Sequence, residues 1–249
     1  MFCDDIHLVK DDCKGSNYAY SAGSIFEKNL NLTLFSALPT TVSGFGFLVR
    51  FSKFSIGEGI DRVYALYLCR GDINAQTCQA CVQAAANTLV QGCQFLKEGT
   101  AWYEGCTLCY ANLSIFSLEE VTPMALDYNR TSMCSTFDLA PYQQNISIAM
   151  DGLIKKVSSN LSLQGFDSTQ INLPPSQTWW WRGLAQCTPD ILGSPCDNCL
   201  RTALKQQNTW ANTKIFLPSC LIRFDLYGFV PPPPPPSDSP GYIIRNANY

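Results

Sequence analysis

The stretch Cys69-RGDINAQT-Cys78-QA-Cys81 has eight residues and then two between its cysteines, and Cys187-TPDILGSP-Cys196-DN-Cys199 repeats that spacing. The flanks repeat as well. Cys13 lies 56 residues before Cys69 and Cys134 lies 53 before Cys187, while Cys106 follows Cys81 by 25 and Cys220 follows Cys199 by 21. Self-similarity on this scale marks a duplicated unit. It divides the chain into a first repeat at 1–117, a linker at 118–124, a second repeat at 125–230 and a proline-rich tail at 231–249.

Within each copy the same elements recur. Phe26, Leu30, Leu34 and Leu38 return every fourth residue and predict an amphipathic helix from Ser24 to Leu38, ended by Pro39. Val63–Cys69 reads as a strand, and Cys78, Cys81, Val82, Ala85 and Leu89 mark one face of a second helix. Ala101–Tyr110 reads as one further strand. In the second copy Tyr142, Ile146, Met150, Leu153 and Val157 give the helix, and Thr178–Cys187 and Ile215–Phe224 give strands. Helices kept apart from antiparallel strands predict an α+β fold, two tandem small domains each with a sheet on two helices.

Composition narrows the function. The chain has 249 residues, 46% of them hydrophobic and 15% charged, which is ample for packed cores and argues against disorder. With a net charge of −3 and no basic run there is no footprint for a nucleic acid. His7 is the only histidine, which removes nearly all of the histidine-based nucleophile, acid–base and metal-site chemistries. Neither a P-loop nor a dinucleotide-binding glycine motif occurs, so no cofactor is expected and the chain reads as a non-enzyme.

Thirteen cysteines point to an oxidising compartment. Five N-x-[ST] sequons, at Asn31, Asn112, Asn129, Asn145 and Asn160, point the same way. The first residues, MFCDDIHLVKDDCKG, lack the apolar run of a signal peptide, and no stretch is apolar enough to span a membrane. An exported chain then implies a sequence incomplete at its start or carrying a misplaced initiator Met. Six prolines from Pro231 to Pro236 extend as polyproline II for about 19 Å. They read either as a disordered tail or as a stalk.

The two C-x8-C-x2-C strings, with RVYALYLCRGD leading into the first and LAQCTPD into the second, resemble the ginkbilobin-homologous, stress-antifungal domain of land plants. That domain occurs in tandem in the ectodomains of cysteine-rich receptor-like kinases, in plasmodesmata-located proteins and in cysteine-rich repeat secretory proteins. The resemblance implies a plant extracellular recognition module acting in stress and defence signalling. Its location would be the apoplast or the outer face of the plasma membrane. Its partner would be an unknown extracellular ligand or partner ectodomain, including carbohydrate. A secreted mannose-binding antifungal protein is the alternative.

The same resemblance implies the bridges Cys13–Cys93, Cys69–Cys78 and Cys81–Cys106 in repeat one, and Cys187–Cys196 and Cys199–Cys220 in repeat two. The counterpart of Cys93 falls near Ala211, which leaves Cys134 without its expected partner, and Cys3 and Cys109 are also left over. Repeat two is accordingly expected to be the less stable copy. Mannose-binding members of the family use an Asn after the first cysteine, an Arg six before the last and a Glu five after it. Repeat one offers Lys14, Thr100 and Ala111 there, which is no such pocket. Repeat two offers Ser135, Lys214 and Asp225, so Lys214 and Asp225 are the carbohydrate candidates. The plainer reading of that pair is a surface ion pair of little worth.

Two other constellations compete. Cys78–Cys81 with Cys106–Cys109 has the layout of a zinc site, but repeat two has Arg223 in the fourth ligand's place. A thiol oxidoreductase would need an exposed, low-pKa cysteine. Trp179, Trp180 and Trp181 are consecutive, so in a strand they face both sides, one toward the core and the other an exposed patch for a sugar ring or a partner domain, with packing between the repeats as its favoured use.

Overall fold

The computed structural model describes residues 6–13, 19–38, 49–128, 138–173, 179–207 and 210–228. Cys3, Cys134, Asn129, Lys14, Ser135 and the proline run lie outside the described residues. The fold is α+β and is built twice.

Repeat one forms a five-stranded antiparallel sheet from β1 (Leu8–Asp12), β2 (Phe51–Ile56), β3 (Val63–Cys69), β4 (Gly99–Tyr103) and β5 (Cys106–Ala111), in the order β1-β4-β5-β3-β2. Repeat two does the same with β6 (Ala125–Tyr128), β7 (Phe166–Leu173), β8 (Trp179–Cys187), β9 (Thr213–Phe216) and β10 (Cys220–Gly228), in the order β6-β9-β10-β8-β7. Strand for strand the two orders are the same permutation.

The helices cover one face of each sheet. In α1 (Ile25–Leu32) the Ser24 hydroxyl accepts the Glu27 N–H while the Glu27 carboxylate accepts that of Gly23, so the first turn is capped from both directions. Phe26, Leu30, Leu34 and Leu38 are buried, but the single long helix expected from them is altered. After Leu32 the chain passes into a π-helical turn at Thr33–Ala37, where the buried Thr33 hydroxyl donates to Asn29 O at 2.7 Å. In α2 (Ala75–Gly92) Asn74 caps the start by accepting from Thr77 N, and Cys78, Cys81, Val82, Ala85 and Leu89 face the sheet.

In repeat two, α3 (Gln143–Ser159) buries Ile146, Met150, Leu153 and Val157. The last helix, α4 (Ser194–Leu204), follows Gly193, whose φ of 89° is left-handed backbone that favours glycine. It turns Cys196, Cys199, Leu200 and Ala203 inward.

Two expected strands are hairpins instead. Ala101–Tyr110 is broken at Glu104-Gly105 into β4 and β5, and Ile215–Phe224 is broken at Leu217-Pro218-Ser219 into β9 and β10. Apolar residues on both sides of each turn hide it from a reading of periodicity, because the reversed strand continues the buried pattern. Disulfides join Cys13–Cys93, Cys69–Cys78, Cys81–Cys106, Cys187–Cys196 and Cys199–Cys220 in this structure. In each C-x8-C-x2-C string the middle cysteine bridges back to the strand before its helix and the last one bridges to the second strand after it, β5 or β10. Cys78 and Cys81 are thereby consumed, which takes apart the four-thiol layout of a zinc site.

Candidate functional site

The two repeats meet through their sheets. Trp102 on β4 is fully buried in a cluster with Ala125, Leu184, Phe216 and Leu221 of repeat two, flanked by Val9 and Phe166. The three consecutive tryptophans are not in that cluster. Trp181 instead lies in the core of repeat two, stacked on Phe224 at 5.8 Å, and its indole N–H donates to Trp210 O at 2.6 Å. Trp179 packs half-buried against that same core. The expectation that this run packs the repeats together therefore fails. A strand's alternation sends Trp179 and Trp181 into their own core, while Leu184 and Gln186 further along β8 face the junction with residues of β4, β6, β9 and β10.

Polar contacts fix the register of the junction. The Gln186 amide nitrogen donates to Cys69 O at 3.0 Å, and its oxygen accepts the Gly71 N–H at 3.2 Å. The side chain of Gln186 is thus spent on the backbone that follows β3, and the residue is buried. Nearby, Asp72 lies between Arg70 of its own repeat at 2.5 Å and Arg182 of the other at 3.3 Å. Burial pushes the Asp72 carboxyl up, but the two guanidiniums outweigh it and hold it below the ordinary carboxylate range.

A second ionic group gathers around Glu104, in the turn between β4 and β5. The buried Glu104 carboxylate pairs with the Lys214 ammonium and, at 3.3 Å, with the Arg223 guanidinium. Lys214 also pairs with Asp127 at 2.9 Å, and Arg223 with Asp225 at 2.9 Å. Burial pushes the Asp127 carboxyl up, while its hydrogen bond and attraction to Lys214 bring it net below its usual value.

These contacts decide the surroundings of the carbohydrate candidates. Lys214 and Asp225 do not form the surface pair with each other that the sequence suggests. Lys214 stands directly across from Arg223 in the sheet, its side chain only 12% exposed, and turns to Glu104 of repeat one. Asp225 is taken by Arg223. In repeat one the matching positions, Thr100 and Ala111, line a small cavity with Asp12, Glu98, Cys109 and Glu120. Cys109 is buried on β5 between Thr100 and Leu66 and belongs to none of the five disulfides. The carboxylates of that cavity are the opposite of the cation the mannose-binding pattern calls for.

Sequence reasoning missed Glu104, Gln186 and Arg182. The only signal for them was a polar residue inside an otherwise apolar strand run, as at Gln186 in LAQC. Beside Gln186 the repeats leave a cleft of about 450 Å³, lined by Arg50, Phe51 and Leu68 from one repeat and Gln164, Phe166 and Pro189 from the other. The Arg50 guanidinium, two aromatic rings and Gln164 line it together.

A family model described as salt stress response/antifungal matches residues 12–113 and again 129–227. The chain belongs to this salt stress response/antifungal family. Its similarity to a putative cysteine-rich repeat secretory protein 7 of Arabidopsis thaliana is 32% identity over 219 residues, 86% of this chain and 74% of that protein. With the cysteine-rich receptor-like protein kinase 25 of the same plant it shares 30% over 216 residues, covering 84% of this chain and 31% of the kinase. The chain thus spans about a third of that kinase's length.

Its fold is that of the crystal structure of the tandem DUF26 ectodomain of the Arabidopsis thaliana cysteine-rich receptor-like protein PDLP8. The TM-score is 0.67 at 20% identity, over 89% of this chain and 98% of that one. The relatives named here are thus a cysteine-rich repeat secretory protein, a receptor-like protein kinase and a receptor-like protein whose tandem ectodomain has this fold. Among the described residues no helix is long and apolar enough to cross a membrane.

Proposed function

We propose that this chain is an extracellular recognition module of the cysteine-rich receptor-like kind, acting in stress and defence signalling and performing no chemistry itself. The two repeats work as one body, and the ligand or partner ectodomain is engaged at the cleft between them. The observation that carries this reading is the junction itself. Trp102, Gln186 and Glu104 bind each repeat to the other, so the wall formed by Arg50 and Phe51 is held at a fixed distance from Gln164 and Phe166. A preformed, mixed apolar and polar cleft is what a ligand site requires, and preorganisation lowers the cost of binding.

The test is binding of the secreted tandem to a panel of cell-wall oligosaccharides and plant ectodomains. A binder whose affinity drops at least about tenfold with Arg50→Glu, at unchanged thermal stability, supports the reading. Absence of any binder sensitive to Arg50→Glu or Phe166→Ser, or steady turnover of a bound glycan, overturns it. The alternative, mannose binding through Lys214 and Asp225, has their ion pairs against it. Its own test is retention on mannan that is lost in Lys214→Ala.

A further inference from the structure

The cleft beside Gln186 carries an unmatched charge. Arg50 stands on its wall just before β2, its carbonyl accepting from Cys69 N at 2.7 Å and one guanidinium nitrogen donating to Ile73 O at 3.3 Å. Those two bonds fix where the group stands, yet the residue is exposed. Among the described residues Arg50 has no carboxylate partner. No wall residue is acidic, and the acids next to the wall are taken by other cations. Asp72 is held by Arg70 and Arg182, Asp167 by Lys156 at 2.6 Å and Asp190 by Lys53 at 3.3 Å.

The opposite wall presents an amide at a cost. Gln164 has a φ of 49°, left-handed backbone that disfavours any residue with a Cβ, and its N–H donates to Leu161 O at 3.2 Å to close the turn. Glycine would take that conformation freely, so the turn by itself has no need of the side chain. Phe51 from one repeat and Phe166 from the other flank the cation and the amide.

An occupant has to match three chemistries. A guanidinium grips a carboxylate through two parallel N–H bonds, an amide both donates and accepts, and an aromatic face is the negative side of its ring and attracts C–H groups. One residue of hexuronic acid in a sugar chain supplies a carboxylate, ring hydroxyls and a face of C–H bonds. A neutral sugar leaves the guanidinium unmatched, and a peptide carboxylate brings no ring hydroxyls to Gln164. The volume of about 450 Å³ falls within the about 300–1,000 Å³ of small-ligand sites. The whole chain carries −3, so an anion is held here by local geometry and not by overall attraction.

We propose that the cleft binds an acidic oligosaccharide, with a uronate carboxylate on Arg50, its hydroxyls on Gln164 and its ring against Phe51 and Phe166. This rests on the reading of the cleft as the recognition site.

The experiment titrates the full chain with trigalacturonate, with its fully methyl-esterified form and with triglutamate, at about 0.15 M salt. Trigalacturonate is expected to bind, and the ester and triglutamate at least about tenfold more weakly. Arg50→Gln should weaken the acid at least about tenfold and leave acid and ester equal, while Arg50→Lys recovers part, since an ammonium keeps the charge without the fork. Gln164→Gly should weaken binding without lowering the thermal midpoint. Lys205→Gln, exposed at the end of α4 and not on the cleft wall, should change nothing. No binding of trigalacturonate, equal binding of acid and ester, or tighter binding of triglutamate overturns the proposal. An acid–ester difference that survives Arg50→Gln, an equal loss in Lys205→Gln, or a Gln164→Gly chain that melts lower and binds unchanged overturns it too. A neutral glycan or an ectodomain that still binds with sensitivity to Arg50→Glu or Phe166→Ser would then leave the recognition reading standing, and the acidic-sugar inference alone would fall.

Discussion

Gln186 of the second repeat donates its amide hydrogen to the Cys69 carbonyl of the first, 117 positions away, at 3.0 Å. Its amide oxygen takes the Gly71 N–H from the same turn. One side chain therefore does for the junction what a ladder of strand hydrogen bonds does for a sheet. Gln186→Leu removes both bonds and leaves a buried carbonyl and a partly buried N–H facing an apolar group. An unsatisfied buried backbone group costs about 1–3 kcal/mol. Urea denaturation should show a loss in that range, with all five disulfides intact by mass.

Glu104 supplies the charge that Lys214 and Arg223 share. Glu104→Gln leaves two cations facing a neutral amide in a site where the carboxylate side chain is only 7% exposed. Lys214 keeps Asp127 and Arg223 keeps Asp225, so neither cation is stranded, and losing the charged contacts to Glu104 should cost about 1.5–3 kcal/mol. The double variant Glu104→Gln with Lys214→Met should recover part of it, which a double-mutant cycle measures.

Acid acts on the same contacts. Asp72 and Asp127 both have folded carboxyls held below their ordinary values. Such a group stabilises the fold above its unfolded pKa, and that stabilisation is lost as pH falls through the lower folded value. Thermal midpoints should therefore stay level from neutral pH down to about 5 and fall below about 4. Asp72→Asn should start lower and decline less steeply. A midpoint that falls between pH 7 and 6 would contradict this assignment.

Gly71 closes against Phe166 so tightly that a Cβ there would meet the ring at 2.1 Å. Gly71→Ala must displace Phe166 from the wall of the cleft. Overpacking of this kind costs about 1–3 kcal/mol. The same variant should weaken any ligand of the cleft, whereas Gly152→Ala, with open space around it, should do neither.

The bridges differ in reach. Cys13–Cys93 closes a separation of 80 residues and Cys69–Cys78 one of only 9. On the chain-entropy account the first is worth about 4–5 kcal/mol and the second about 2–3. Paired Cys→Ser replacements should rank in that order by denaturant midpoint.

The cysteine spacing and the four-residue beat of Phe26, Leu30, Leu34 and Leu38 carried the duplication, the α+β class and the helix faces, because those signals are local. Long-range signals were weaker. The outer strands β1, β2, β6 and β7 are half-exposed, with little alternation to find. The turn at Glu104-Gly105 sits between two apolar runs and reads as one strand. The roles of Glu104, Gln186 and Lys214 depend on which repeat faces which, and that no spacing within one repeat encodes. Lys214 was noticed as a family position, but its partner belongs to the other copy.

Trp102 stands four residues before Cys106, and Phe216 four before Cys220, so the two are the same position in successive copies. Both are buried in the one cluster that joins the repeats. At that pair the junction has the layout of an isologous contact, the same position offered by each half, enclosed within a single polypeptide, although the second repeat supplies most of the surrounding cluster. Covalent fusion makes the association of its halves indifferent to dilution. It has also freed the two patches to diverge: Glu104 on one side corresponds to Pro218 on the other, a difference no dimer of identical subunits could keep.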